Sequence, residues 1–510
     1  MTKARLTAQA QKKHITSIGI ENFKAFGKPT VVEFKNLTLL SGLNSSGKSS
    51  LYQAMLLISQ SQGCSYTDKH GNILPYLCLN GTLITLGAPE DILHDTANKK
   101  IKITYKFSDN TSIDYTFTLS SDSSDIGLSH EIQDVFFLSE LAYHDSKGCY
   151  VEVKAGTEYW EVKAFNFLSF EDFDLYNCFI KASEPTTSTY GCTSTNKINP
   201  FSQRVHLKKV HSVDLRDGFI WRFAIDISEY KSIIDDSFKD KISFFNLKKV
   251  INETFNTDIK DLVFRPSQLY STERSPFEYK SIIFIPPFRG TPKRLYNTSN
   301  SINPLQNYNR QKSKIINYRQ DGNVLSGTLE EAFSYWIIDH FQLCKKIIVE
   351  DSLSALVTEI FLENENGKRV ALNNVGFGVS QILPIVYKSL LAPQDTFMII
   401  DEPEIHLHPH LQSKLADFFL DMARLGKRIL IETHSEYLID KMIYNTIKHE
   451  DASNIACMYW AIPDNGSTTF EKIQYDELGF ISNQPDGFLS EKKRLVRELN
   501  ALRMEKLEHE

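Results

Sequence analysis

Cysteine is sparse and unpatterned in this chain: seven residues in 510, with no CxxC and no Cys/His spacing of a zinc site. That excludes a zinc-finger framework or a disulfide-stapled scaffold and points to reduced thiols in a cytoplasmic protein. No apolar run approaches the length that spans a bilayer, and no signal peptide opens the chain, so no membrane role is expected. Positive charge is not in excess either. The net charge is −6, and no global basic field advertises nucleic acid. No heptad persists over several turns, which excludes a long coiled-coil arm. What remains, 41% hydrophobic and 24% charged, is ordinary globular composition, and the length allows two or three domains around a sizeable core.

Against that background two segments stand out. Residues 42–49, GLNSSGKS, fit G-x-x-x-x-G-K-[ST] without mismatch, after an apolar run at 37–40 that reads as a buried strand and before a helical run at 49–58. Gly42 and Gly47 permit a turn in which the backbone N–H groups of Leu43, Asn44, Ser45 and Ser46 face a phosphate, with Ser50 in the first helical turn. Lys48 would reach the outer phosphates and the Ser49 hydroxyl would bind Mg²⁺. The alternative is a chance Gly/Ser turn. The second segment, 396–409 (TFMIIDEPEIHLHP), is another buried-strand run ending in Asp401 and Glu402. A carboxylate at a strand's C-terminal edge is where an α/β sheet holds ligand. Asp401 suits Mg²⁺, a hard cation, and Glu402 is placed to polarise a water as general base. A further strand, 427–432 (KRILIE), runs into Thr433-His434-Ser435. His434 is read as a sensor of the terminal phosphate, with a structural histidine as the alternative.

Between the two halves, residues 375–381 (VGFGVSQ) precede an apolar helix at 382–391. Gly376, Gly378, Ser380 and Gln381 at a helix start form a second anion-binding end. The first site already has a phosphate loop, so this end is expected to serve ATP on a second copy of the chain. A plain Gly-rich loop is the alternative.

These motifs resemble the ABC-type ATPases of the SMC/RecF/OLD group. The head at 15–57, MIIDEPEIHLHP and IETHSEYL look like its successive motifs, and GFGVSQILP resembles the divergent signature loop of the prokaryotic OLD-like branch. The resemblance covers roughly residues 14–115 and 277–490. It implies an α/β fold: an ABC-type P-loop ATPase head of two lobes, mixed sheet and helices, with an inserted helical or mixed subdomain. It implies a head-to-tail dimer around two ATP molecules. Lys48 and Ser49 then grip phosphate and Mg²⁺, Asp401 binds Mg²⁺, Glu402 is the catalytic base and His434 the switch histidine. Gly376, Gly378, Ser380 and Gln381 act in trans, and residues 406–409 (HLHP) form the subunit-contacting loop. Two departures stand out. The signature is not LSGGQ, and no glutamine lies between Gly63 and Ile132, leaving Gln60 or Gln62 to bridge the lobes.

The expected organisation is a basic lead at 1–13, a lobe with the phosphate loop at 14–119, an insertion at 120–276, a second lobe at 277–490 and a closing helix at 491–510. Strands are expected at 15–20, 31–34, 83–86, 101–107 and 113–119, and a hairpin at 150–154 with 159–163. Within the insertion, 183–195 reads as a loop and 219–255 as broken helices. Residues 328–343 read as an amphipathic helix opened by a capping box of Thr328 and Glu331. In the closing helix Leu495, Leu499 and Leu502 share one face, for packing on its own head or on a partner.

Seven cations (Arg289, Lys293, Arg294, Arg310, Lys312, Lys314, Arg319) fall in a stretch without acid, interleaved with Tyr296, Tyr308 and Tyr318. Cations plus stacking rings suit DNA or RNA. The alternatives are a solvated Asn-rich loop, or an Arg289 that supports the ATP site. Three functions stay in competition. In the first, the chain is an ATP-switched subunit controlling a separate effector, as in anti-phage systems such as Septu with an HNH nuclease partner, or a DNA-repair ATPase of the RecF/SMC kind. In the second, it is a self-contained OLD-type nuclease, against which stands a tail after His434 without an Asp-x-Asp pair. In the third, it is a scaffold that binds ATP without turnover.

Overall fold

The computed structural model describes residues 14–61, 64–67, 73–120, 134–144, 150–155, 160–165, 221–223, 282–297, 303–352, 357–394, 396–476, 478–483, 485 and 490–508. They divide into two compact units, Met1–Val31 with Gln53–Tyr279, and Val32–Tyr52 with Lys280–Glu510. The expected lead at 1–13, the loop at 183–195 and Gln62 lie outside the described residues. Among those described, no helix is long and apolar enough to cross a membrane.

The second unit carries a six-stranded sheet. Its strands are β1 (Leu37–Gly42), β2 (Ile282–Ile285), β3 (Phe397–Asp401), β4 (Arg428–Glu432), β5 (Ala456–Asp464) and β6 (Ser467–Lys472), in the order β2-β3-β4-β1-β5-β6. The first five run parallel and β6 returns antiparallel. A parallel strand covered on both faces must be apolar on both. LTLLSG and FMIID are accordingly buried at every position. The helices are α1 (Lys48–Gln60), which crosses the division between units after Tyr52, α2 (Phe377–Leu391), α3 (Pro409–Arg424) and α4 (Glu436–Lys448). Pro409 opens α3, where a missing N–H costs nothing. Ser435 caps α4 by accepting from the Leu438 amide at 3.0 Å. Met398, Ile400 and Ile431 of the sheet pack in one core with Leu415, Phe418 and Trp336.

Around this sheet the unit adds a four-stranded sheet of Tyr296–Asn297, Val357–Glu363, Lys346–Ser352 and Arg369–Ala371. A hairpin, Ile315–Gln320 with Asn323–Thr328, turns at Asp321 (φ 49°) and Gly322 (φ 84°), the positive angles a two-residue hairpin turn needs. The capping box at Thr328 forms with both its bonds, but the α-helix it opens ends at Ser334 and continues as a wider π turn over Tyr335–His340. The closing helix spans Ser490–Glu508. Leu495, Leu499 and Leu502 are about half exposed on it, so they do not pack on their own head as one expectation had it.

The first unit holds an antiparallel sheet in the order Trp221–Phe223, Trp160–Phe165, Tyr150–Ala155, Val135–His144, Ser112–Ser120, Lys100–Phe107, Ile15–Glu21 and Thr30–Glu33, the last crossing the division between units. Ser112–Ser120 alternates buried and half-buried residues, the period-two signature of a sheet with one core face. Two expectations fail here. Residues 83–86 form no strand, because Asn80 bridges to Thr85 and the Asn80 amide oxygen holds the loop by accepting from Leu86 N and Gly87 N. Trp221–Phe223, inside the supposed helical stretch 219–255, is a strand paired with Trp160–Phe165. The rest of 219–255 lies outside the described residues.

Candidate functional site

The site lies wholly within the second unit, at the C-terminal ends of β1, β3 and β4, the edge where an open α/β sheet presents its ligand-binding groups. The chain leaves β1 at Gly42 and turns through Ser45 (φ 60°) and Gly47 (φ 83°) into α1. Gly42 has φ 154°, and a Cβ there would lie 2.8 Å from Ser46 Oγ and 3.0 Å from the Ala461 carbonyl oxygen, so only glycine fits. Thr468 Oγ1 holds the Ser46 carbonyl at 3.0 Å, while Ser46 Oγ is buried without a partner. Lys48, 3% exposed, folds its ammonium back onto the carbonyls of Gly42 (3.2 Å) and Leu43 (2.8 Å). A buried lysine that caps its own loop at the N-terminus of a helix can exchange those carbonyls for phosphate oxygens.

Opposite the loop stand three carboxylates. Asp401 and Glu432 are register partners at the ends of β3 and β4. Tyr52, one turn into α1, donates to Asp401 Oδ2 at 2.5 Å. Ser49 Oγ donates to Glu432 Oε1 at 3.1 Å, and Lys48 Nζ lies 3.9 Å from the same oxygen. Glu402 follows with φ 41°, a left-handed angle that is strained for a non-glycine residue. Three bonds hold it there. Its amide donates to the Glu432 carbonyl at 2.9 Å, and its own carbonyl accepts from Arg289 Nη2 at 3.0 Å and from the Ile405 amide at 3.2 Å. Arg289 Nη2 also reaches the Asp401 carbonyl at 2.8 Å. His434 Nε2 is 3.7 Å from Glu402 Oε1, and the His434 amide donates to Glu404 Oε1 at 2.6 Å.

Burial dominates the electrostatics. It pushes the Asp401 carboxyl up to about 6, with Glu402 adding to the rise, against Tyr52, Arg289 and Lys48. Burial and then Asp401 push Glu432 up to about 7, against Lys48 and Ser49. Burial lowers His434, and Lys48 lowers it further, so its imidazole is neutral at neutral pH. Burial also brings Arg289 down to about 10, although Glu404, Asp401 and Glu402 favour its charge. Burial thus disfavours the charged forms of Asp401 and Glu432, and a divalent cation between them would favour those forms. A hydroxyl and carboxylates form a hard oxygen donor set that fits Mg²⁺. Among the described residues no three His, Cys, Asp or Glu side chains converge as a ready-made cage. A cation that keeps waters and shares phosphate oxygens needs none.

The second glycine-rich segment caps α2. Gly376 is the exposed N-cap residue, and the Phe377 ring meets His406 edge-on with centroids 4.7 Å apart. A Cβ on Gly378 would stand 2.6 Å from the His406 carbonyl oxygen, so the glycine lets the 406–409 loop pack against this turn. Ser380 and Gln381 are buried. Ser380 Oγ donates to the Phe377 carbonyl at 2.6 Å and Gln381 Nε2 to the Gly290 carbonyl at 3.3 Å. Their side chains are spent inside their own unit, and only the Gly376 end faces outward.

The structure therefore brings Gly42–Ser50, Asp401, Glu402 and His434 together and sets the basic stretch apart from them, Arg289 excepted. Arg319 pairs with Asp421 at 3.1 Å and Arg294 with Glu359 at 3.5 Å. Tyr296, Tyr308 and Tyr318 are buried in the core rather than offered for stacking. Gln60 does not bridge lobes. Its amide donates to the carbonyls of Cys78 and Ile84 and accepts from Ile84 N. Sequence reasoning passed over Glu432 and Tyr52. Glu432 ends its strand as Asp401 ends the neighbouring one, and the same strand-edge rule applied to KRILIE finds it. Tyr52 gives no such signal, since an aromatic in an apolar helix reads as core.

A parallel sheet whose first strand feeds a glycine-rich phosphate loop, with acids at the ends of the adjacent strands, defines a P-loop nucleoside triphosphatase of mixed α/β fold. The family described as an AAA ATPase domain matches residues 14–439, and the chain belongs to that family; it binds nucleotide and is an ATP hydrolase. No curated protein sequence matches it. Among solved structures it is similar to an SMC head domain from Thermotoga maritima (10% identity, 90% of this chain and 99% of that one, TM-score 0.33). It is likewise similar to an SmcHead bound to the C-winged helix domain of ScpA (9%, 90% and 98%, TM-score 0.38). A third is the Smc head with an extended coiled coil bound to the C-terminal domain of ScpA from Pyrococcus furiosus (12%, 96% and 100%, TM-score 0.34). At such scores these likenesses say nothing about function.

Proposed function

We propose that this ATPase is an ABC-type switch in which two copies close head-to-tail around ATP·Mg²⁺ and hydrolysis reopens them. One observation carries the chemistry: Glu402, held at a strained backbone angle beside Asp401, presents its carboxylate 3.7 Å from a neutral His434. In this reading Lys48 leaves the carbonyls of Gly42 and Leu43 for the outer phosphates. Ser49 and Asp401 hold Mg²⁺, which draws charge from the β- and γ-phosphates when bound. Glu402 accepts the proton of the attacking water, and His434, fixed through its amide to Glu404, donates to the terminal phosphate. The exposed Gly376 end of α2 supports a contact to the partner copy's nucleotide, through backbone N–H groups and the helix dipole rather than through Ser380 or Gln381.

Downstream, the switch controls a separate effector, a nuclease such as the HNH partner of Septu-like anti-phage systems. The support for that step is the motif resemblance alone. The test is the mass of the purified Glu402→Gln chain by light scattering with and without ATP·Mg²⁺, beside wild-type phosphate release. An ATP-dependent doubling of mass with turnover lost in the variant is the expected result. An unchanged mass in the variant at saturating ATP would remove the composite site.

A further inference from the structure

The phosphate-loop reading leaves Glu432 without a task, yet its side chain is only 6% exposed and makes two contacts to the loop. A carboxylate this deep beside two other acids is costly to keep unless it does something with its oxygens. One oxygen, Oε1, accepts the Ser49 hydroxyl at 3.1 Å. The other, Oε2, is buried with no partner. The backbone fixes the side chain's place. Glu432 pairs with Asp401 across β3–β4 and with Leu40 across β4–β1, so it stands between the acid strand and the strand that feeds the loop.

A serine hydroxyl has one proton and two lone pairs. If the proton points at the cation, the ligand is lost. When the proton is given to a carboxylate behind it, both lone pairs turn away from that carboxylate, and the oxygen becomes more electron-rich. Partners that orient a ligand in this way commonly change metal affinity by about 10–100-fold. From the Ser49–Glu432 hydrogen bond and the unpartnered second oxygen we infer that Glu432 is a positioning residue for the nucleotide's divalent cation. It accepts the hydrogen bond of the Ser49 hydroxyl, so that the lone pairs of the Ser49 oxygen face the cation, and it offers Oε2 to a water of the cation's shell. The inference rests on the reading of Ser49 as a cation ligand.

The test uses the full chain and a fluorescent ATP analogue, measuring its Kd with saturating Mg²⁺ and in EDTA. The ratio of the two is the metal-assisted gain in affinity, a readout independent of turnover. Ser49→Ala is expected to lower that gain about tenfold or more. Glu432→Ala should lower it by a similar factor, Glu432→Gln should stay within about threefold of wild type because its amide oxygen still accepts the Ser49 proton, and the Ser49→Ala/Glu432→Ala double variant should lose no more than Ser49→Ala alone. Each variant's Kd in EDTA is the reference for its own ratio, so an effect on Lys48 or the loop that does not involve the metal cancels. A Glu432→Ala gain equal to wild type beside a defective Ser49→Ala overturns the inference while leaving the parent reading in place. So does a Glu432→Gln variant as poor as Glu432→Ala, which would make the residue a counter-ion for Lys48. If Ser49→Ala itself keeps the full gain, the parent reading falls and takes this one with it.

Discussion

Arg289 is the cation that shapes Glu402, the proposed general base, without touching its carboxylate, and replacing it by methionine separates shape from charge. The alkyl chain keeps the packing. The guanidinium's two bonds, to the carbonyls of Asp401 at 2.8 Å and Glu402 at 3.0 Å, disappear, as does a positive charge that the buried Glu404 favours. Removing one partner of a buried charge cluster costs about 3–5 kcal/mol, so the melting temperature of Arg289→Met should fall by several degrees. The effect on turnover follows from the backbone. A left-handed angle costs a non-glycine residue roughly 1–2 kcal/mol, and at Glu402 (φ 41°) three bonds oppose that cost, from Arg289, from the Ile405 amide and to the Glu432 carbonyl. With the charged one of the three gone, relaxation toward a negative φ draws most molecules out of the competent geometry. At about 1.4 kcal/mol per factor of ten, the surviving population falls about 5–30-fold. Turnover should drop by that factor, while the Kd for ATP, set at the phosphate loop, stays within about twofold. Arg289→Lys should recover part of the stability but little of the rate, because both bonds are made by the terminal Nη2 and the shorter lysine carries its ammonium short of the two carbonyls. The assay pairs phosphate release with nucleotide titration on the same preparations. A folded Arg289→Met with wild-type turnover would refute the reasoning, and so would a Kd that rises in step with the lost rate.

Three further outcomes are expected. Gly378→Ala puts a methyl 2.6 Å from the His406 carbonyl, so the 406–409 loop must move and thermal denaturation should show a loss of about 1–3 kcal/mol. Lys427, buried, donates its ammonium to the carbonyls of Ser389, Leu390 and Ala392 at the end of α2, and Lys427→Met should destabilise by about 3 kcal/mol in urea titration; a loss near zero would show those carbonyls to be satisfied otherwise. The His434 value is depressed in the folded state, so its contribution to stability is present above the unfolded value near 6.5 and fades as pH falls through the folded one. The stability difference between wild type and His434→Ala should therefore shrink from pH 7.5 to pH 5, and a difference that grows on acidification would contradict the assignment.

How much of this was legible beforehand differs by element. The strand runs LTLL, FMII and RILIE announce themselves because a parallel strand in a covered sheet has nowhere to put a polar residue. The phosphate loop announces itself because its glycines answer to φ and contact limits written into eight consecutive residues. Glu402, by contrast, carried its role in the motif but not its strain, which arises only when β4 supplies the Glu432 carbonyl and the 282–289 segment supplies Arg289. The same limit explains Gln60 and the three tyrosines. A glutamine or a ring has no period of its own, and whether it meets ligand or core depends on chain brought alongside from elsewhere. Trp221–Phe223 was misread because a three-residue strand at a sheet edge is too short to show an alternation.

The fate of those tyrosines also bounds what the basic stretch can do. A single-strand surface that stacks bases needs exposed rings, and Tyr296, Tyr308 and Tyr318 are each less than one-tenth exposed. Arg289 is turned to the Asp401 and Glu402 carbonyls, Arg319 to Asp421 and Arg294 to Glu359. Lys293, Arg310 and Lys314 are exposed and Lys312 partly so, which leaves four cations for phosphates. Four contacts to a single strand give a salt slope of about −2.8 and a loss of roughly 50-fold between about 50 and 200 mM salt. Without stacking, an abasic backbone of equal length should bind as well as oligo-dT, and reversing the charge of Lys293 and Lys314 should halve the slope. Strong preference for the base-bearing strand, or a slope untouched by the reversal, would mean that nucleic acid is held elsewhere on the protein.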